Sequence, residues 1–342
     1  MTDRSMSKGR GRVVAVYGAA GHTGGFVVEE LLRRGMTPVA VGRDATKLTG
    51  WAQRGVEVRV AGIDDAASLE RVFTGVDAVI NCAGPFLDTA GPVAAAALRS
   101  GAHYLDVTAE QASATATYEA FDEEARRSGL IVMPAMGFYG GFADLLVSSL
   151  VGDRAQVDEI EVAIALDSWN PTEGTRRTGE RNTFQRLVVA DGALAPVASP
   201  SSAKDWTFQQ HFGPQRVVEL PFSEIVVIDR HLHSRSVRTW LGEIALNDIR
   251  NPDTPAPKAT DSSGRSAQQF VVEAVVRRGD EEQRISARGR DIYAFTAPLV
   301  CEAVQRILAG EARTTGARAP GEVFDAHRFL DALEPDHLTL DG

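Results

Sequence analysis

At 342 residues the chain is long enough for two domains with a sizeable buried core, and its 44% apolar and 24% charged residues are the mix of a globular protein. A net charge of −10 argues against general binding to nucleic-acid phosphates, and no apolar run approaches the length needed to cross a membrane. Two cysteines, Cys82 and Cys301, offer no disulfide framework and point to a reducing compartment, while polar, basic residues 1–10 read as a disordered tail with no secretory leader, so a cytoplasmic location is expected.

The first element predicted is a strand over 12–17. It is apolar from Val13 to Tyr17 and runs into a turn with glycines at Gly18, Gly21 and Gly24, followed by an apolar-periodic helix over 23–34. In this strand–turn–helix setting the spacing is a dinucleotide fingerprint. Gly18 permits the tight turn, Gly21 lets a pyrophosphate approach the backbone, and Gly24 lets helix and strand pack closely. Ala20, His22 and Thr23 complete the loop, whose helix amino end offers free N–H groups and positive dipole to phosphate. The second strand, 38–42, ends in Gly42-Arg43, where a site for a free ribose 2′-hydroxyl usually carries an acid. A guanidinium suits a 2′-phosphate, with Lys47 one turn on, so the expected cofactor is NADP(H). Asp44 reads as the cap of the helix over 45–54. After the third strand (56–60), Asp64 suits the adenine amino group, with capping of the helix at 66–74 as the alternative for Asp64 or Asp65.

Strands at 77–82, 103–106 and 130–134 alternate with helices at 89–100 and 112–128, which implies right-handed crossovers and a parallel sheet. From Val157 the texture changes. Residues 158–166 alternate as a half-buried strand, 217–220 and 225–228 read as further strands, and 270–277 with 283–288 flank a hairpin turn. Residues 191–204 and 251–266 read as loops, and the Arg-rich 172–181 as a loop at the domain edge. Helices are expected at 297–308 and near 323–333. The fold class is therefore α/β, a Rossmann-type doubly wound parallel sheet with a second α+β domain built on a mostly antiparallel sheet. Residues 11–150 form the dinucleotide-binding domain, 151–290 a substrate and oligomerisation domain, and 291–342 C-terminal helices that pack back on the first. The free face of the second sheet would serve a two-fold partner, giving a homodimer.

Three segments leave the carboxyl edge of the first sheet: Asn81-Cys-Ala-Gly-Pro-Phe86, then Gly101 to Glu110 with Tyr104 and Asp106, then Pro134 to Asp144 with Gly137, Phe138 and Tyr139. On these segments, with later turns at Glu173-Gly-Thr175 and Ala319-Pro-Gly321, the chain resembles the saccharopine dehydrogenase-like NAD(P)-binding oxidoreductases, a family that looks related to trans-acting enoyl reductases. The resemblance is sharpest over 12–145 and departs at Ala109, where the family commonly has Gly. It implies hydride transfer by a bound nicotinamide.

The residues leave the chemistry to elimination. Only four lysines are present, none four residues after a tyrosine, so a Tyr-x-x-x-Lys pair is absent. His231 and His233 lie on one strand face without an evident third ligand, and no metal is expected. Asn81, Ala83, Gly84, Pro85 and Phe86 would line the nicotinamide ribose and ring. The proton-donor candidates are Tyr104, Asp106, Glu110 and Tyr139, with helix capping as the alternative for Asp106 and Glu110 and Tyr139 the more exposed choice. Phe86, Tyr139 and Arg176 are the candidate substrate contacts, Arg176 as a clamp for a carboxylate or phosphate. The reading is an NADP(H)-dependent oxidoreductase acting on a C=N or activated C=C bond of a small molecule. A non-catalytic, NADP-responsive binding protein is the alternative.

Overall fold

A computed structural model describes residues 12–152, 156–209 and 212–342. The expected tail at 1–10 lies outside these residues. The first half alternates strictly: β1 (Val13–Tyr17), α1 (His22–Arg33), β2 (Thr37–Gly42), α2 (Ala45–Gln53), β3 (Glu57–Val60), α3 (Ala66–Phe73), β4 (Ala78–Asn81), α4 (Phe86–Arg99), β5 (His103–Asp106), α5 (Gln111–Ser128), β6 (Ile131–Met133) and α6 (Gly141–Val151). The strands form a parallel sheet in the order β6-β5-β4-β1-β2-β3, extended beyond β6 by the two-residue β15 (Gly316–Ala317). Val14 to Tyr17 are all buried because helices cover both faces of the sheet, which is why β1 reads as a continuous apolar run. Asp44 caps α2 through the Thr46 amide at 2.9 Å, and Asp65 caps α3 through the Ser68 amide at 2.9 Å.

The second half holds β7 (Gln156–Leu166), α7 (Glu173–Arg181), β8 (Leu187–Ala190), β9 (Ala193–Pro196), β10 (Ala203–Thr207), β11 (Pro214–Glu219), α8 (Glu224–Asp229), β12 (His233–Gly242), α9 (Glu243–Arg250), β13 (Gln269–Arg278), β14 (Glu281–Arg290) and α10 (Ile292–Ala309). After β15 come α11 (Pro320–Val323), α12 (Ala326–Asp331) and β16 (Thr339–Asp341). The strand order is β10-β11-β12-β7-β13-β14-β16, with the β8–β9 hairpin attached to β12. The sheet is mixed, because β12 runs parallel to β7 while its other pairings are antiparallel.

Four local expectations are corrected. Residues 225–228 are in a helix, α8. All four side chains are buried, and a short apolar run enclosed on every side carries no period that separates strand from helix. The Arg-rich 172–181 is a helix, α7, capped by Thr172 but with no buried side chain, so it lacks the apolar stripe that betrays a helix. Part of 191–204 is strand: Asp191-Gly192, with φ of 53° and 80°, makes the turn between β8 and β9. The expected helix at 323–333 is interrupted at Phe324-Asp325, where Asp325 caps α12 through the Arg328 amide.

One core joins the two sheets. Phe142 of α6, Phe295 of α10 and Phe270 of β13 meet with ring centroids 4.7–6.3 Å apart, so α6 and α10 fill the space between the layers. α10 is long and apolar enough by composition to cross a membrane, and most of it is buried here, packed along α1. The opposite face of the second sheet is partly covered by the chain itself. The β10–β11 hairpin folds over it, and the Trp206 indole of β10 reaches the Glu273 carboxylate of β13 at 2.7 Å.

Candidate functional site

The turn after β1 and the loop after β4 meet at the point where the strand order reverses, the crevice that open α/β sheets use for ligands. Gly18 has φ of +87°, and a Cβ there would lie 2.9 Å from the Ala83 amide nitrogen; a Cβ on Gly24 would overlap the Gly18 carbonyl oxygen. Gly21 is the amino cap of α1, and no side chain caps the helix. Its first-turn N–H groups are thus left for a ligand. Ala20, Gly21 and His22 are exposed and Thr23 is partly buried. The cradle fits a diphosphate.

At the adenosine end Arg43 follows β2 directly. Among the described residues its exposed guanidinium has neither hydrogen bond nor ion pair, and the same holds for Lys47. Burial pushes the Tyr17 hydroxyl pKa up, Arg43 pulls it down and Asp64 raises it, so the fold brings Arg43 and Asp64 to one place beside Tyr17. Asp64 is exposed and the capping role falls to Asp65.

At the other end a buried polar network shapes the loop 82–86. Asn81 Oδ1 accepts from the Ala83 amide at 3.0 Å, and its Nδ2 donates to Thr89 Oγ1 and to the Tyr104 hydroxyl, both at 3.2 Å. Thr89 in turn donates to the Ala83 carbonyl at 2.6 Å. Tyr104 donates to Asp106 Oδ2 at 2.8 Å, while Asp106 Oδ1 accepts from the amides of Thr108 (3.0 Å) and Ala135 (2.9 Å). Tyr104 and Asp106 therefore tie the three carboxyl-edge loops together, and their polar atoms are engaged by the chain. Burial raises the Asp106 pKa to about 6 against these three donors.

Glu110 caps a helix, though not the one that follows it. Its two oxygens accept from the amides of Phe86 (3.2 Å) and Leu87 (2.9 Å) at the start of α4. It is 1% exposed, and burial lifts its pKa to about 7. Phe86 is buried in the same turn, with Pro85 as the amino cap.

Tyr139 is not the exposed member of its turn: it is 8% exposed, its ring lies 4.2 Å from Phe222 and stacks on Trp169 at 5.4 Å. Its hydroxyl is buried without a partner among the described residues, and burial holds its pKa well above the usual phenol value. The turn buries it because α8 packs over it: Ser223 Oγ donates to the Tyr139 carbonyl at 3.1 Å and to the Thr108 carbonyl at 3.0 Å. Arg176 is spent on the chain itself, donating to the Thr254 carbonyl at 2.6 Å and so pinning the long loop before β13. His231 pairs with the buried Asp144 at 2.6 Å, and among the described residues no three ligand-type side chains gather as a metal site.

α7 and α10 bring to this edge groups whose partners the sequence does not show. α7 lies across the loop after β4: Arg181 pairs with Asp88 at 3.0 Å, and a Cβ on Gly84 would come within 2.7 Å of Thr178 Oγ1. Tyr293 of α10 accepts from Trp169 Nε1 (3.1 Å), shares a hydrogen bond with Thr175 Oγ1 (3.0 Å), and sets its ring 5.5 Å edge-on to His22. These residues are single polar positions in chain segments far apart, and only folding puts them at one place.

The comparisons agree with this geometry. Residues 14–133 match the saccharopine dehydrogenase NADP binding domain family. A probable mitochondrial saccharopine dehydrogenase-like oxidoreductase of Arabidopsis thaliana is 32% identical over 194 residues, 52% of this chain and 42% of the relative. A lipid droplet localized protein of Caenorhabditis elegans is 32% identical over 184 residues (48% and 43%), and a saccharopine dehydrogenase-like oxidoreductase of Bos taurus is 28% identical over 224 (56% and 52%). The matches thus span about half the length of these relatives. Among solved structures, apo saccharopine dehydrogenase (L-Glu forming) from Saccharomyces cerevisiae aligns over 97% of this chain and 99% of its own, with a TM-score of 0.67 at 12% identity, which speaks for the fold. Residues 14–133 are thus similar to this NADP-binding domain family, and nearly the whole chain shares the fold of the yeast enzyme.

Proposed function

We propose that the chain is an NADP(H)-dependent oxidoreductase that moves a hydride to or from a C=N or activated C=C bond of a small metabolite. The observation that carries this is the amino end of α1, uncapped by any side chain and set against the loop after β4 at the switch point, with Arg43 unpaired among the described residues at the adenosine end. When bound, the nicotinamide supplies or accepts the hydride. The chain's part is to hold and orient. Gly18, Ala20, Gly21, His22, Thr23 and Gly24 surround the diphosphate, Arg43 and Lys47 receive the 2′-phosphate, Asp64 the adenine, and Asn81, Ala83, Gly84, Pro85 and Phe86 the nicotinamide end. α7 shields that end from water. Tyr139 keeps a proton on a buried hydroxyl that no other described group takes.

The test is NADPH oxidation, followed by its fluorescence, against a panel of imines and enones. Turnover of one class assigns the bond reduced. NADPH binding with no turnover of either class moves the reading to a non-catalytic, NADP-responsive protein, which the engagement of Tyr104, Asp106 and Glu110 by the chain itself would favour. No NADPH binding removes both readings.

A further inference from the structure

Arg186 differs from the ion-paired arginines of the molecule. Arg34 pairs with Glu30 and Glu302, Arg277 with Glu159 and Glu161, and Arg284 with Glu273. Arg186 has no ion pair among the described residues. Its one hydrogen bond goes to the Pro221 carbonyl at 2.5 Å, and its guanidinium lies 4.9 Å over the Phe222 ring. Glu224 is near enough to pull its pKa upward, yet burial dominates and holds it below the usual guanidinium value. Arg186 is half-buried and makes one hydrogen bond among the described residues, so N–H donors of its guanidinium are left for an anion to accept from.

The same residue lines a cavity of about 280 Å³ between α5 and residues 182–187, at the small end of the range for metabolite pockets of roughly 300–1,000 Å³. Gln111 builds this cavity. Its side-chain amide donates to the Leu187 carbonyl and accepts from the Leu187 amide, both at 2.8 Å, which clamps the segment against α5. Asn182, Gln185 and Thr115 add neutral polar groups to the lining, and Phe184, 59% exposed, forms an apolar wall. Among the described residues of the lining, the one carboxylate is the exposed Glu119. The cavity adjoins the site already described: Gln111 follows Glu110, which holds the start of α4, and Arg181 at the near end of the segment pairs with Asp88.

We propose that this cavity is a docking site for a small-molecule anion, a carboxylate or a phosphate monoester, received by the Arg186 guanidinium. The two sources share one chemistry, a planar or tetrahedral oxyanion accepting paired N–H donors. That the anion is a group of the substrate rests on the oxidoreductase reading; that the anion binds does not. The Phe222 ring touches both regions, 4.9 Å from the Arg186 guanidinium and 4.2 Å from the Tyr139 ring, so a substrate anchored by its anion would reach toward the Tyr139 wall.

The test titrates the full chain, without cofactor, with succinate and separately with inorganic phosphate at constant ionic strength, by calorimetry. The wild type should bind at least one of them saturably, and the preferred probe tells carboxylate from phosphate. Arg186→Gln, which can still donate to the Pro221 carbonyl, should weaken that binding by about tenfold or more, the scale of a charge-assisted bond. Glu119→Gln, on an exposed position, should tighten it by removing a like charge. NADPH fluorescence titration should be unchanged in both variants. No saturable binding of either probe to the wild type, or equal binding by Arg186→Gln with its NADPH titration intact, overturns the assignment. If Arg186→Gln fails to fold, unchanged anion affinity in Glu119→Gln does the same. Anion binding by a wild type that does not bind NADPH would leave the anion site standing and overturn the oxidoreductase reading alone.

Discussion

Arg43 leaves β2 with its guanidinium exposed and without a partner among the described residues, so no contact seen there is broken when a 2′-phosphate engages it. Arg43→Ala should therefore cost NADPH binding about 1.5–3 kcal/mol, the scale of a hydrogen bond to a charged group, and leave NADH nearly unaffected. Equal losses in the two fluorescence titrations would take Arg43 away from the 2′-phosphate. Glu110 makes a prediction of a different kind. Its pKa in the fold is raised from 4.5 to about 7, with burial the largest cause. The fold therefore holds its proton more tightly than the unfolded chain does. Glu110's contribution to stability is present in full below 4.5 and is lost as pH rises through about 7. Relative to Glu110→Gln, which cannot titrate, the wild type should lose stability across that window in urea unfolding. Asp106, raised from 3.8 to about 6, adds to the wild-type loss in the lower part of the window and is common to both proteins. A pH-independent difference between the two would mean that Glu110 is ionised throughout.

At the scale of elements, α7 is held by polar contacts and not by an apolar face. It buries no side chain, and what holds it is a small set of polar contacts: Thr175 to Tyr293, Arg181 to Asp88, and Arg176 to the Thr254 carbonyl. Helices without an apolar face depend on such contacts for their place. Tyr293→Phe removes the hydroxyl that Trp169 and Thr175 share, while the ring keeps its packing beside His22. With each lost bond worth about 0.5–1.5 kcal/mol, amide exchange over 173–181 should quicken by about tenfold, with exchange in α1 and α4 unchanged. Unaltered exchange in α7 would show that its place is set elsewhere. The same element explains a limit of pattern reading. Glu173-Gly-Thr-Arg-Arg-Thr-Gly-Glu-Arg181 has two glycines and no apolar stripe, so a loop is the better expectation until Thr172 and Tyr293 are seen to hold it.

At the scale of the molecule, the chain closes on itself through α1 and α10. Arg34 of α1 sits between Glu30 at 2.6 Å and Glu302 of α10 at 2.5 Å, all three nearly buried. Arg33 and Arg306 neutralise the outer sides of the two carboxylates. Removing the middle cation leaves two buried carboxylates facing each other. Arg34→Ala should cost about 3 kcal/mol, the low end of what breaking a buried pair costs because each acid keeps one arginine. The check is the urea midpoint. A change below about 0.5 kcal/mol, the scale of an exposed pair, would mean the cluster is solvated in solution. The free face that the expected homodimer would use is partly occupied by the β10–β11 hairpin, so a two-fold contact there would have to meet Trp206, Lys204 and Arg284 rather than a bare sheet.

The sequence by itself determined the first sheet, its order of elements and the dinucleotide cradle. In that half β1 and β4 are apolar runs, each helix follows its strand within a few residues, and the glycines at 18, 21 and 24 act on neighbours close in the chain. Local spacing is enough when the partners are local. The β13–β14 hairpin was legible for the same reason. Tertiary structure alone decided the rest. Whether Ile225 to Ile228 form strand or helix depended on what encloses them. Tyr139 is buried because α8 lands on its turn, and Glu110 caps α4 because β4 and β5 are neighbours in the sheet. Tyr293 meets Thr175 across 118 residues of chain, and Arg186 meets the Phe222 ring and the cavity beside α5 only in the folded chain. Hydrophobic period shows which face of an element must be covered; it is silent on what covers it, and the wall of this site is made by the covering.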